Sequence, residues 1–195
     1  MTLRVLHVSR EFEPLTSGVA RHIQGLATAI QADGEIRLTI LAPVINAPSS
    51  DLDVRPGGYR CIWSALGEHD LVHVHGSRSP IAAFAALLAA IRGVPLVYTP
   101  HCYYDAGSRW LRLLKRTWDS TVERLMVRAA SAVVLLHKGW ETDLARRGLR
   151  PAQVLIIPNC VDDHRQPAAA SPLQLEGAPA LLSIGRLDPV KRLDD

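Results

Sequence analysis

What the sequence lacks narrows it first. Cys61, Cys102 and Cys160 are the only cysteines in 195 residues, odd in number and far apart. That excludes a disulfide framework or a cysteine-based zinc cluster and leaves free thiols in a reducing compartment as the expectation. The opening MTLRVLHVSREFEP is no basic-then-apolar leader, and no apolar run reaches the ~18 residues of a membrane span, so a cytoplasmic location is expected. The longest apolar-rich piece, Ile81 to Ile91, is short and Ala-rich, which suits a buried helix. Charge of one sign is also scarce: 22 Lys and Arg against 19 acids leave +3, too little for a nucleic-acid surface, so no nucleic-acid partner is expected. Internal repeats are missing, as are the G-x-G-x-x-G dinucleotide fingerprint and the Gly-Lys-Ser/Thr phosphate loop.

What is present is a recurrence of short, continuous, β-branched-rich runs: Leu3 to Val8, Ile36 to Leu41, Leu71 to Val74, Pro95 to Tyr98, Ala132 to Leu136, Val154 to Ile157 and Ala180 to Ile184. Such runs suit strands buried on both faces. Between most of them lie helix-like segments, Gly18 to Gln31, Ser79 to Arg92, Ser108 to Ala130 and Lys138 to Arg147. The alternation implies an α/β fold, a Rossmann-like doubly wound parallel sheet. Pro43 to Arg60 reads as loop before a weak strand at Tyr59 to Trp63. After Asn159, prolines at 167, 172 and 179 read as a linker. The expected organisation is a domain over 1–165, a linker over 166–178 and the start of something new over 179–195.

In an open parallel sheet ligands bind beyond the carboxyl ends of the strands, and the residues there are polar. Ser17 and Gly18 can cap a helix, and the free N–H groups of that turn favour an anion; ordinary capping is the competing reading. His73 and His75, two apart, share one face of a strand, and His101 follows the next strand. No metal is expected of them, because zinc usually takes a further Cys, Asp or Glu ligand. His73 reads as a packing residue and His75 or His101 as a substrate contact. His101 is preferred, since past Pro100 its ring would reach a ligand without being buried in the sheet. The loop HCYYDAGSRW offers Tyr103 and Tyr104 as aromatic ligand contacts or as surface anchors. The helix over residues 108–128 carries a stripe of Trp110, Leu114, Trp118, Val122 and Leu125 beside Arg109, Arg112, Lys115 and Arg116. It reads as core-packed or as lying on anionic lipid, with Asp119 and Glu123 interrupting the positive face.

The order RVLHVSREFEPLTSGVARHIQGLATAI, DLVHVHG, GVPLVYTPH, RAASAVVLLHKGWETDLARRG, VLIIPNCVD and LLSIGRLDPVKRLDD resembles the amino-terminal half of the GT-B glycosyltransferases, specifically glycosyltransferase family 4. The resemblance implies two Rossmann-like domains facing across a cleft and retaining transfer of a hexose from a nucleotide-sugar to a glycan or lipid-linked acceptor in polysaccharide or glycolipid assembly. It implies no cofactor and no obligatory metal. By position it makes His101 the catalytic contact, Gly18, Arg186 and Lys191 the diphosphate contacts, and Ser17, His75, Tyr103, Tyr104 and Asn159 acceptor or sugar contacts. The match departs at Ser17, Cys160, His137 and Arg192. The family's E-x7-E element is not in this sequence, so the chain is expected to be a truncated form, inactive alone: an acceptor domain with the first strand of the donor domain, working at the inner face of the membrane. A non-catalytic glycan- or partner-binding domain and a nucleotide-sugar epimerase are the alternatives.

Overall fold

The computed structural model describes residues 2–12, 17–43 and 52–159. Among them the chain runs β1 (Leu3–Val8), α1 (Gly18–Asp33), β2 (Ile36–Ala42), β3 (Asp53–Pro56), α2 (Tyr59–Glu68), β4 (Leu71–His75), α3 (Pro80–Arg92) and β5 (Leu96–Thr99). It continues through α4 (Arg109–Trp118), a π-helical turn (Asp119–Glu123), α5 (Arg124–Ala129), β6 (Ala132–Leu135), α6 (Gly139–Arg146) and β7 (Val154–Ile156). The strands form one parallel sheet in the order β3-β2-β1-β4-β5-β6-β7, the expected α/β doubly wound arrangement. The order reverses between β1 and β4.

The period of two along the strands divides the molecule. Leu6 and Val8 of β1, Val72 and Val74 of β4 and Tyr98 of β5 join one core with Ile62 and Leu66 of α2, Ile81, Ala82, Ala85 and Ala89 of α3, and Met126 and Val127 of α5. On β2, Leu38, Ile40 and Ala42 meet Ile23 and Ala27 of α1 and Phe12 in a second, smaller core. The residues that alternate with the first set on β1 and β4 are histidines. Helix α3 starts where it does because Ser79 caps it, its side chain accepting from the Ala82 N–H, with Pro80 in the first turn; Gly93, at φ 69°, ends it.

Two expectations are corrected. Tyr59–Trp63 opens helix α2 instead of a strand, because Ile62, Ala65 and Leu66 recur at helical spacing and are the residues that bury. The strand on this stretch lies earlier, at Asp53–Pro56, pairing with β2 inside the segment expected to be loop. The segment 108–130 is helical, but its stripe shifts. The π turn holds more residues per turn than an α-helix, so the inward positions run Trp118, Val122, Met126 and Asp119, Glu123, Val127, while Leu125 is 66% exposed. None of the α4 residues is buried. The strand expected at Ala180 to Ile184, the linker, Cys160, Arg186, Lys191 and Arg192 lie outside the described residues.

Candidate active site

The reversal of strand order places the carboxyl ends of β1 and β4 side by side, the crevice in which open α/β sheets bind ligands. Register then brings polar side chains together there. His7 of β1 is directly opposite His73 of β4, and His75 is opposite Thr99 of β5. The rings of His73 and His75 lie 4.0 Å apart, and those of His7 and His73 4.8 Å. His75 bridges two others, its Nε2 lying 3.0 Å from His7 Nδ1 and its Nδ1 3.1 Å from His101 Nε2. His73 Nε2 meets the Thr99 hydroxyl at 2.7 Å. A neutral imidazole has one N–H and one lone pair, so the row His101, His75, His7 is polarised in a single direction.

Helix α1 supplies the fifth ring. Ser17 caps it, accepting from Ala20 N–H at 3.0 Å, and Gly18 is exposed, with open space where a Cβ would stand. His22 follows Gly18 by one helical turn on the same face, and its ring stands 5.1 Å from that of His101 and 6.1 Å from that of His75. Asn159, three residues beyond β7, hydrogen-bonds His22. The structure thus brings Ser17, Gly18, His75, His101 and Asn159 to one rim.

The backbone at His101 is unusual. The β4–β5 pairing continues past the strands, Gly76 N–H donating to Thr99 O at 2.9 Å and Ser77 N–H to Pro100 O at 2.8 Å. Cys102 N–H also donates to Pro100 O, at 2.8 Å, closing a three-residue turn around His101, whose φ is +64°. Positive φ at a non-glycine residue costs on the order of 1–3 kcal/mol and persists where surrounding contacts impose it. Here Ser77 Oγ holds Cys102 O on one side and the histidine row holds the ring on the other. Contrary to the expectation that the ring stands clear of the sheet, His101 is buried, at 6% exposure.

Burial sets the chemistry of these rings. It pushes His7 and His101 down to about 3, the nearby His22 ring acting in the same direction, and holds His73 and His75 well below the ordinary histidine range. His22 is also lowered by burial, against the opposing Asn159 hydrogen bond. The rings are therefore neutral near pH 7. His101 cannot serve as a general acid there, but it can offer a hydrogen bond to a hydroxyl or phosphate.

The tyrosines divide. Tyr104 is exposed, as a ligand contact would be. Tyr103 belongs to the scaffold: the guanidinium groups of Arg147 and Arg78 stand 4.6 and 5.6 Å from its ring centre, and its hydroxyl donates to Glu123 at 2.8 Å. Those contacts take up the ring that was expected to contact acceptor or sugar. Glu123, fully buried, also accepts from the Tyr98 hydroxyl, Trp118 Nε1 and the Arg78 N–H. Arg78 and Arg147 both pair with Asp105 and with buried Asp119. Asp119 and Glu123 thus point inward, and α4 carries Arg109, Arg112, Lys115 and Arg116 without an acid among its ten residues, Arg112 donating to Gly107 O and Lys115 to the carbonyls of Tyr104 and Ala106.

Sequence reasoning missed His7 and His22. Signals for both were available: His7 has the strand parity that faces α1, and His22 lies four residues after Gly18.

Residues 55–160 match the family described as the glycosyl transferase 4-like domain. The chain belongs to this family. Among curated proteins it is similar to a GDP-mannose:cellobiosyl-diphosphopolyprenol alpha-mannosyltransferase of Xanthomonas oryzae pv. oryzae, 24% identical over an aligned length of 180, the match covering 82% of this chain and 47% of the relative. The chain therefore spans about half the length of that relative. Among solved structures it shares its fold with S. aureus MnaA, solved together with UDP (TM-score 0.53, 13% identity, 80% of this chain and 43% of that one). It also shares its fold with sucrose-phosphate synthase from Thermosynechococcus elongatus (0.51, 14%, 80% and 48%). The domain is the GT-B, family 4-like amino-terminal domain that the motif order implied.

Proposed function

We propose that the protein carrying this chain is a retaining glycosyltransferase that moves a hexose from a nucleotide-sugar to a glycan or lipid-linked acceptor. The observation that carries the reading is His101, buried and neutral at the centre of a positive-φ turn just beyond β5, with its ring against His75 of β4 and 5.1 Å from that of His22 on α1. In this reading the bond from the sugar's anomeric carbon to the diphosphate breaks, and the acceptor oxygen bonds the same carbon on the same face. The departing diphosphate keeps the electron pair and takes the acceptor's hydroxyl proton. His101 hydrogen-bonds the transferred sugar, while Gly18 lets the α1 turn approach the donor's phosphates with their N–H groups. The reaction needs no obligatory metal if Arg186 and Lys191 meet the diphosphate charge, and their placement is part of the proposal. Ser17, Tyr104 and Asn159 are proposed as acceptor or sugar contacts; His75, expected to be one, is buried with both ring nitrogens engaged by His7 and His101, and instead positions His101.

Location follows from α4. Among the described residues no helix is long and apolar enough to cross a membrane. Yet α4 exposes Trp110, Leu111, Leu113 and Leu114 beside four cations, a surface suited to anionic lipid. A cytoplasmic enzyme working at the inner membrane face on a polyprenyl diphosphate-linked glycan, in polysaccharide assembly, is the reading this supports.

The test is transfer of labelled hexose by the whole protein from a nucleotide-sugar panel that begins with GDP-mannose, to a diphosphopolyprenol-linked oligosaccharide. Product with retained anomeric configuration, lost by two or more orders of magnitude in His101→Ala, is expected. Sugar inversion at C2 of free UDP-sugars without transfer would instead support an epimerase.

A further inference from the structure

Five imidazoles meet at one rim, more than a hydrogen-bonding contact to a sugar requires. Two overlapping triads have one ring nitrogen from each member within 4.8 Å of the others: His7, His73, His75 and His22, His75, His101. The two are alike in burial, each with two buried rings and one half-buried, and differ in what holds the half-buried ring. His73 lies on β4 between β1 and β5, with its Nε2 held by the Thr99 hydroxyl at 2.7 Å. His22 lies on α1, one turn after exposed Gly18 and beside exposed Asn159, so an ion can enter from that side and keep a water.

We propose that His22, His75 and His101 form a binding site for a divalent transition-metal ion of the zinc class. Tetrahedral zinc holds nitrogen ligands at about 2.0–2.1 Å, which sets neighbouring nitrogens roughly 3.3 Å apart. His75 Nδ1 and His101 Nε2 are already 3.1 Å apart, close to that spacing, so a tilt of the two rings that aims both nitrogens at one point lets the ion take the place of their N–H···N contact. Rotation of the half-buried His22 side chain brings in the third ligand. The remaining nitrogen of His75 faces His7 Nδ1 at 3.0 Å. A ligating imidazole characteristically donates its other N–H to such an acceptor, which fixes the ring and its tautomer. His7 is thus a positioning residue for the site, and the fourth position, toward the rim, is left for water or an anionic oxygen. His101 is shared with the proposed sugar contact, so metal occupancy and sugar transfer compete. This last consequence rests on the transferase reading, whereas the binding itself does not.

The experiment is equilibrium dialysis of the untagged, chelator-stripped 195-residue chain against Zn2+, with Co2+ as a spectroscopic probe. Binding of about one ion and the visible bands of four-coordinate cobalt are expected. His75→Gln, His101→Gln and His22→Gln should each weaken binding by at least about 30-fold, and His7→Gln by about 10-fold. His137→Gln, at an exposed histidine outside the triads, and Cys102→Ser should bind as the unaltered chain does. His22→Gln, at a half-buried position on a surface helix, keeps the test decisive if the two buried variants misfold. Absence of saturable binding overturns the proposal, as does unchanged affinity in folded His22→Gln or loss of binding in Cys102→Ser. If the site binds zinc but hexose transfer fails, the metal site stands and the transferase reading falls.

Discussion

Replacing Glu123 tests whether the strained turn at His101 is held in place from the side opposite the histidines. The carboxylate is fully buried and gathers the Tyr98 and Tyr103 hydroxyls, Trp118 Nε1 and the Arg78 backbone N–H. In Glu123→Ala the Tyr98 hydroxyl, itself at 0% exposure, loses its acceptor in a dry core, at a cost of about 1–3 kcal/mol. The half-buried Tyr103 and Trp118 recover part of their bonding from water, at about 1 kcal/mol each. The vacated side-chain volume adds about 1–2 kcal/mol. The total, on the order of 5 kcal/mol, is comparable with the whole stability of many domains. Glu123→Gln keeps the shape but turns an NH2 toward donors, and about 2–3 kcal/mol is expected. Urea unfolding followed by far-UV circular dichroism measures both. Glu123→Met combined with Tyr98→Phe removes both partners of the most buried bond and should be more stable than Glu123→Met alone. A Glu123→Ala cost below about 1 kcal/mol, or no recovery in the double variant, would refute the assignment of Glu123 as the acceptor that organises this region.

Acid should destabilise the metal-free protein well above the carboxylate range. Burial keeps His7 and His101 neutral down to about 3, whereas the unfolded chain protonates them below about 6.5. The stability they contribute is therefore complete above pH 6.5 and lost as pH falls, by about 2 kcal/mol per histidine at pH 5. His73 and His75 act in the same direction, and unfolding free energies that stay flat from pH 7 to 5 in chelator would contradict this. Exchanging Arg109, Arg112, Lys115 and Arg116 for Ser should weaken binding to anionic vesicles by about three orders of magnitude, at about 1 kcal/mol per cation. Because none of the α4 residues is buried, the fold should survive, and unchanged vesicle binding would remove α4 from the membrane contact. Ser17→Ala deletes the α1 cap and should cost about 1 kcal/mol in urea unfolding; no change would mean that the cap does not hold the turn.

Legibility in the sequence followed the range of the interaction. Apolar runs marked β1, β2, β4, β5, β6 and β7 to within a residue or so at most ends; in β2 and β6 burial on both faces removes polar alternation locally, while β7 is apolar although none of its residues is buried. The short edge strand β3, with no fully buried residue, left no such mark. Tyr59 to Trp63 misled because five residues cannot separate a period of two from one of 3.6; only Ala65 and Leu66 beyond them complete the helical pattern. The 108–130 helix was legible as a helix. Its inward face was not, since the π turn that brings Asp119 and Glu123 inside is set by partners on β5, on the loop after β4 and at the end of α6.

By itself the sequence determined the α/β alternation, the polar carboxyl rim and the family, all written in contiguous stretches of strand, turn and helix. The tertiary structure alone decided that His7 and His22 join His73, His75 and His101, because that depends on the β1–β4 register and on where α1 lies across the sheet. It also decided that His7, His75 and His101 are buried and that burial lowers the proton affinity of all five rings, which limits the role proposed for His101 to hydrogen bonding. Proton affinity is a property of the surroundings, and here residues as much as 94 positions apart, His7 and His101, share them.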